Sequence, residues 1–355
     1  MGLHATPGNS LHRVRGQKMD YTVAMQRAIA LSQKGLGKTS PNPIVGAVII
    51  NSDGQVVGEG FHDRMRSPDH AEVVAINAAG VKAKGATMVL TLEPCNHTGA
   101  TGPCSKAIAD AGISKVVYAV NDPNLKAAGG AQALREMGVQ VESGVLESEA
   151  AYANRAWLTK IEKSRPFFTW KVATTLDGKV AATDGTSKWI SNEKSRNDVQ
   201  SLRRQADAIL VGTNTVITDD PHLIPRGDFP GFTANPLRVV CGEQELPTSS
   251  KIFDNAGPTL QVKSKDLAVL VAELNKTGVN HVLVEAGPTL ATAMLKLGLL
   301  DELVTYQAPS LLGQGKSFVT DFGASTIDQR LVLDHISSEV IDGDVKSTYA
   351  IGKAQ

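Results

Sequence analysis

The sequence predicts two successive α/β domains, and three observations carry that prediction. The chain has 355 residues, enough for about two globular domains at roughly 150 residues each. Strand-sized apolar runs alternate with helix-period segments along almost the whole length. A polar, helix-prone stretch ends at Arg165-Pro166, where proline restricts the preceding residue and marks a boundary. The expected organisation is an extension over residues 1–18, expected to be disordered, one domain over 19–165 and a second over 166–355.

In the first domain, Ala24, Ile29, Ala30 and Leu31 repeat with helical spacing until Gly35 and Gly37, glycines being common terminators. After the Ser40-Pro41-Asn42-Pro43 turn, Ile44–Ile50 predicts a buried strand, 51–54 a hairpin turn and 55–60 its return. Then follow a helix over 73–79, a strand over 87–92, a helix over 105–111, a strand over 115–120, a helix over 131–137 and a strand over 139–142. This alternation predicts a three-layer sandwich. In the second domain strands are expected at 167–173, 208–211, 237–241, 281–284 and 302–308, and helices at 197–204 and 290–296.

Composition narrows the function. Lys+Arg and Asp+Glu both total 36 and aromatics are 5%, so the basic, aromatic surface of a nucleic-acid binder is missing. No apolar run approaches the roughly 18 residues of a spanning helix, and no membrane association is expected. Residues 1–18 carry His4, His12, Arg13, Arg15 and Lys18 but no apolar stretch, unlike a secretory signal. Three cysteines cannot build a disulfide framework; a reducing, cytoplasmic setting fits.

The chemistry concentrates in His70-Ala71-Glu72, Glu93-Pro94-Cys95 and Cys104. One imidazole and two thiolates suit zinc better than iron. Three protein ligands leave the fourth tetrahedral position to water, whose pKa zinc lowers toward about 7. Glu72, two residues beyond the histidine, can shuttle protons without ligating the metal. His-x-Glu followed by Pro-Cys is the signature of zinc nucleobase deaminases, although their Cys-x-x-Cys spacing is replaced here by eight intervening residues. Each ligand is expected at a helix start, where the macrodipole stabilises thiolate charge.

These residues, with Pro41-Asn42-Pro43, Gly58-x-Gly60-x-His62 and Leu92-Glu93-Pro94-Cys95-Asn96-His97-Thr98-Gly99, resemble the bifunctional riboflavin-biosynthesis deaminase-reductases. The resemblance runs from about Met19 to the C-terminus. It implies a cytidine-deaminase-like first domain that removes the 2-amino group of 2,5-diamino-6-ribosylamino-4-pyrimidinone 5′-phosphate. It places zinc on His70, Cys95 and Cys104, makes Glu72 the proton shuttle, and sets Asn42, His62, His97 and Asn124 around the substrate. Asp122-Pro123-Asn124 matches the family's downstream loop, with Leu125 where a further proline is usual. Ala100 departs from the Arg or Lys usual there, which weakens a phosphate contact.

In the second domain no Gly-x-Gly-x-x-Gly follows a strand, so a Rossmann site has no support. Lys171-x-Ala173-x-x-Leu176-Asp177-Gly178, Ser187-x-Trp189-Ile190-Ser191, Val211-Gly212-x-x-Thr215, Asp219-Asp220-Pro221-x-Leu223-x-x-Arg226 and Glu285-x-Gly287-Pro288-Thr289 resemble the family's reductase domain. That resemblance implies a dihydrofolate-reductase-like fold, with NADPH giving hydride to C1′ of the ribosylamino group through its ring-opened imine. It places Ala173, Trp189, Thr215, Asp219, Gly287 and Thr289 along NADPH, and Ser187, Arg203, Leu223, Arg226 and Glu285 along the substrate. The role of Lys171 stays open, and Cys241-Gly242-Glu243 departs from the aspartate-containing turn usual after that strand. The competing reading is a deaminase of a free nucleoside or base fused to a diverged, non-reducing domain. The expected partner is a small pyrimidine ribosyl phosphate; whether copies of the chain associate is left open.

Overall fold

The computed structural model describes residues 20–98 and 102–352. The expected extension before Met19, and Ala100 with its missing cation, lie outside the described residues. The chain divides into two compact units between Glu162 and Lys163. The division falls ahead of the expected Arg165-Pro166 point because Lys163 and Arg165 both pair with Asp301, at 3.1 and 2.7 Å.

The first unit contains strands β1 (Gly46–Ile50), β2 (Val56–Phe61), β3 (Thr87–Leu92), β4 (Lys115–Val120) and β5 (Gln140–Ser143). Its helices are α1 (Thr22–Gln33), α2 (Ala71–Ala79), α3 (Cys104–Asp110), α4 (Gly130–Glu136), α5 (Glu147–Ala153) and α6 (Arg155–Lys163), the last crossing the division. The sheet order is β2-β1-β3-β4-β5, with β1 antiparallel to both neighbours and β3, β4 and β5 parallel. Because side chains alternate across a strand, Ala47 and Ile49 join Met88, Leu90 and Val116 beneath α2, α3 and α4. Val48 and Ile50 join Val89 and Val117 beneath α1, α5 and Trp157 of α6. A strand buried on both faces explains the continuous apolar run at 44–50. Gly58 and Gly60 let α2 lie directly on β2: a Cβ on either would come within 2.4 Å of the Ala75 or Ala71 carbonyl oxygen.

The second unit contains β6 (Phe167–Thr175), β7 (Lys179–Ala181), β8 (Ala208–Gly212), β9 (Leu237–Cys241), β10 (Thr259–Val262), β11 (His281–Val284), β12 (Glu302–Ala308), β13 (Lys316–Ser317), β14 (Leu333–Ile341) and β15 (Asp344–Ile351). Helices α7 (Glu193–Gln205), α8 (Thr213–Asp219), α9 (Leu267–Lys276) and α10 (Pro288–Lys296) complete it. Its main sheet runs β10-β9-β8-β11-β6-β12-β15-β14, parallel as far as β12 and antiparallel beyond. The carboxyl ends of β6, β8 and β11 therefore lie side by side, and in parallel sheets that edge hosts ligands.

Some elements escaped the sequence reading. In α9 the residues Leu267, Leu270 and Leu274 are buried at i, i+3 and i+7, a legible helical stripe that the reading passed over. β14 is exposed along nearly its whole length, so it has no buried face to impose the alternation by which strands are recognised.

Candidate active site

His70 is the N-cap residue of α2 and Cys104 the first residue of α3. Cys95 follows β3 in a loop and does not start a helix, so the expected helix-start placement holds for two of the three. The Cys95 loop is instead fastened from outside: Asn96 donates its amide to the Ala127 carbonyl at 2.9 Å, and the Ser105 hydroxyl donates to Asn96 Oδ1 at 2.7 Å. His70 Nδ1 lies 3.3 Å from Cys104 Sγ and 3.7 Å from Cys95 Sγ, and the three donor atoms all fall within 4.8 Å of one another. With Zn–S of about 2.3 Å and Zn–N of about 2.0 Å, tetrahedral ligation puts N and S roughly 3.5 Å apart. These residues fit zinc.

Electrostatics agree with that fit. The Cys104 hydrogen bond, and then His70, hold the Cys95 thiol at about 4 against the opposing effect of burial. The Cys104 thiol is pushed up by Cys95 and by burial. Glu72, in the first turn of α2, is buried at 4% exposure, and its Oε2 has no hydrogen-bond partner. Burial raises its pKa, partly offset by His70. A buried carboxyl with an idle oxygen beside a metal-binding cluster is built to hold or release a proton.

A cavity of about 480 Å³ opens at this cluster, lined by Asn42, His62, His70, Cys95, His97 and the 64–68 loop. His62 is buried, which lowers its pKa despite the hydrogen bond to Asp69. Its Nδ1 lies 3.0 Å from the Asp69 carbonyl oxygen and its Nε2 lies 3.2 Å from Asn42 Nδ2. A neutral ring protonated on Nδ1 satisfies both contacts, donating to the carbonyl and accepting from the amide. Asn124 is not in this lining: its side-chain oxygen accepts the Lys126 amide at 3.2 Å in a local turn. Asp122 in the same segment is pushed up to about 6, chiefly by burial.

Glu93 carries a role that sequence reading missed. Its Oε1 accepts the amides of Gly129 and Ala131 at 3.2 and 3.1 Å, and its Oε2 accepts that of Asp122 at 3.2 Å. One carboxylate thus ties the residues just before Cys95 to α4. The partners stand 29 to 38 residues away, and nothing in the motif announces them. Packing is equally close at Gly130, where a Cβ would sit 1.8 Å from the Pro94 carbonyl oxygen. Gly130→Ala should therefore cost about 1–3 kcal/mol and loosen metal binding through the Cys95 loop. Thermal unfolding and zinc competition titration would check this, and unchanged values in both would refute it.

In the second unit, a cavity of about 800 Å³ runs past the ends of β8 and β9 and the first residues of α10, and includes Thr215, Cys241, Gly287 and Thr289. A neighbouring cavity of about 380 Å³ shares Thr215, Gly287 and Pro288 with it and adds Lys171, Ala173, Ser187, Trp189, Arg203, Asp219, Arg226 and Glu285. The sequence-selected residues thus line two adjoining cavities, with one exception. Leu223 is 2% exposed and packs with Ile209, Val211, Val216, Val240 and Ile252. Trp189 is not in the core: it is 65% exposed, with the Arg196 guanidinium 4.4 Å above its ring. Asp219 pairs with Lys188 at 3.3 Å.

The floor of the smaller cavity is charged. Arg203 donates from Nε and Nη2 to the two oxygens of Glu285 at 2.6 and 2.8 Å, a bidentate pair with side chains only 15% and 12% exposed. Burial opposes the Glu285 charge, but Arg203, Lys171 and Arg226 outweigh it and hold the carboxyl at about 2. Lys171 is shifted down, first by burial and also by Arg203, with Glu285 opposing. Gln200 accepts the Arg226 amide at 3.0 Å and positions that residue, another contact that no motif revealed. Two guanidinium groups and an ammonium around one carboxylate leave a positive floor suited to a phosphate.

A deaminase-type zinc cluster in one unit and adjoining cavities at the carboxyl edge of a parallel sheet in the other define a two-domain enzyme, a zinc deaminase joined to a reductase. Known proteins agree. Residues 19–120 match the cytidine and deoxycytidylate deaminase zinc-binding region, and residues 166–347 match the RibD C-terminal domain. Riboflavin biosynthesis protein RibD of Mycobacterium tuberculosis (strain H37Rv) is 44% identical over 91% of this chain and 95% of its own length; the Escherichia coli (strain K12) protein is 40% identical over 81% and 88%. The solved structure of Acinetobacter baumannii RibD (form 1) superposes with a TM-score of 0.86 at 38% identity, covering 94% of this chain and 99% of the other. A Thermotoga maritima diaminohydroxyphosphoribosylaminopyrimidine deaminase/5-amino-6-(5-phosphoribosylamino)uracil reductase gives 0.85 at 32%, covering 94% and 99%. The chain belongs to the RibD family of bifunctional riboflavin-biosynthesis enzymes.

Proposed function

We propose that the first unit deaminates 2,5-diamino-6-ribosylamino-4-pyrimidinone 5′-phosphate and that the second reduces the ribosyl group of the product with NADPH, giving 5-amino-6-ribitylaminouracil 5′-phosphate. The observation that carries the reading is the His70–Cys95–Cys104 cluster with the unpartnered Glu72 oxygen beside it. Zinc, when bound by these three residues, supplies a Lewis acid that makes water nucleophilic at neutral pH. Glu72 accepts at Oε2 one proton from the attacking water and delivers it to the pyrimidine nitrogen, then takes the remaining proton of the added hydroxyl and delivers it to the departing amine, a role its burial and raised pKa favour. His62, neutral and fixed by Asp69 and Asn42, orients the base together with His97.

In the second unit NADPH supplies the hydride. The larger cavity holds the cofactor, with Gly287 and Thr289 at the start of α10 toward its phosphates and Thr215 where the two cavities meet. Ala173, Trp189 and Asp219 flank it toward the smaller cavity. Arg203 and Arg226 bind the sugar phosphate; Glu285 orients Arg203; Ser187 completes the substrate side, and Leu223, packed beneath, supports the wall from the core. Lys171, buried and facing Glu285, stands beside the reacting sugar. Three free cysteines suit work in the cytoplasm.

The test is NADPH oxidation by the purified protein supplied with the diaminopyrimidine ribosyl phosphate. Zinc removal separates the two sites. A chelator should abolish deamination while leaving NADPH-dependent reduction of the deaminated intermediate within about twofold, because none of the proposed zinc ligands lines the second unit's cavities. Equal loss of both steps would refute the division of labour. Failure to oxidise NADPH even with the intermediate would refute the reductase assignment.

A further inference from the structure

We propose that the substrate's phosphate in the deaminase site is held by Arg64 and Arg66, on the loop that joins His62 to His70; the inference rests on the deaminase reading above. The segment between His97 and Cys104 contains no Lys or Arg, so a cation for a phosphate monoester has to come from another wall of the cavity. That wall is the 64–68 loop. Among the described lining residues the permanently charged side chains are Arg64 and Arg66, and no carboxylate is among them.

The loop is fixed rather than loose. The amides of Arg66 and Ser67 both donate to the Asp63 carbonyl at 3.0 Å, closing a tight turn. Asp63 itself is 9% exposed, with Oδ2 3.6 Å from Lys38 Nζ and 3.6 Å from Arg66 Nε. The Asp63 carboxylate is thus an ion-pair neighbour of Arg66, whose side chain remains 65% exposed to a ligand. Arg64 donates Nη1 to the Ser40 carbonyl at 3.0 Å, two residues before Asn42, which lines the same cavity. Ser67 adds a hydroxyl at the lining, where it accepts the Asp69 amide at 3.1 Å. Two guanidinium groups in one cavity lining match the oxygens of a phosphate monoester, which they bind in charge-assisted, forked geometry. Because the same loop ends at His70, a phosphate seated there fixes the distance from the sugar end of the substrate to the metal-binding cluster, so binding on this loop positions the base.

The experiment compares kcat/KM for deamination of the 5′-phosphorylated substrate with that of the same compound after phosphatase treatment, in wild type and in the Arg64→Gln/Arg66→Gln double variant. Wild type should prefer the phosphorylated compound, and the double variant should lose about 10- to 100-fold of that preference, mainly through KM. Arg64→Lys/Arg66→Lys should recover part of it. Ribose 5-phosphate should inhibit wild-type deamination competitively, and more weakly in the Gln variant. Zinc content equal to wild type shows that the variant's site is assembled. An undiminished preference, or an equal loss on both substrates, overturns the assignment of the phosphate to this loop. If wild type deaminates neither compound, the deaminase reading itself fails, which the variants alone would not produce.

Discussion

Glu72→Gln should leave zinc bound at wild-type stoichiometry and lower deamination about 10²- to 10⁴-fold, the range that a positioned general acid-base contributes. The substitution is nearly isosteric, and Glu72 is not one of the three residues in the metal-binding group. What disappears is a titratable oxygen in a buried place, where water cannot substitute for it. Metal analysis of the purified variant and a spectrophotometric deamination assay supply both readouts. Retained turnover would remove Glu72 from the mechanism. Lost zinc would make it a structural support of the cluster. Given the deaminated intermediate, the same variant should still oxidise NADPH at the wild-type rate, since Glu72 lies in the other unit.

The second large effect is expected at Glu285. Glu285→Ala leaves Arg203 and Lys171 facing each other in a largely buried site, and breaking a buried pair by deleting one partner typically costs about 3–5 kcal/mol. The reductase step should be lost with it, while deamination continues. Denaturant titration followed by the fluorescence of Trp170, buried in the second unit, would show the shift; an unchanged midpoint would refute the coupling. Glu285 also sets a pH dependence. Its folded pKa is about 2, below the ordinary 4.5, so its stabilising charge is fully present above about pH 4.5 and is lost as pH falls through 2. Acid titration of wild type should therefore weaken the second unit across that window, and Glu285→Gln should flatten the response.

Much of this enzyme was legible in order along the chain. The run Ile44–Ile50 announced a buried strand, and β1, which begins at Gly46, is buried along its whole length. His70-Ala71-Glu72 and Pro94-Cys95 announced zinc deaminase chemistry because ligand type and spacing are themselves chemical constraints, and the three donors do converge. The helix-start expectation failed at Cys95 because its loop is held by Asn96, Ser105 and Glu93, contacts made after the chain has folded back.

What the linear order determined was the element succession, the His70, Cys95 and Cys104 group proposed to hold zinc with Glu72 beside it, and the residue types that gather at two sites. What only the tertiary structure decided was which distant groups share a wall. Arg203 meets Glu285 across 82 positions, Glu93 caps residues as far as Ala131, and Arg64 and Arg66 join Asn42 and His97 around one cavity. Local patterning acts over one turn of helix or one pleat of strand, so it specifies elements and short motifs. Charge pairing and cavity shape act through space, between residues that the sheet order alone brings together.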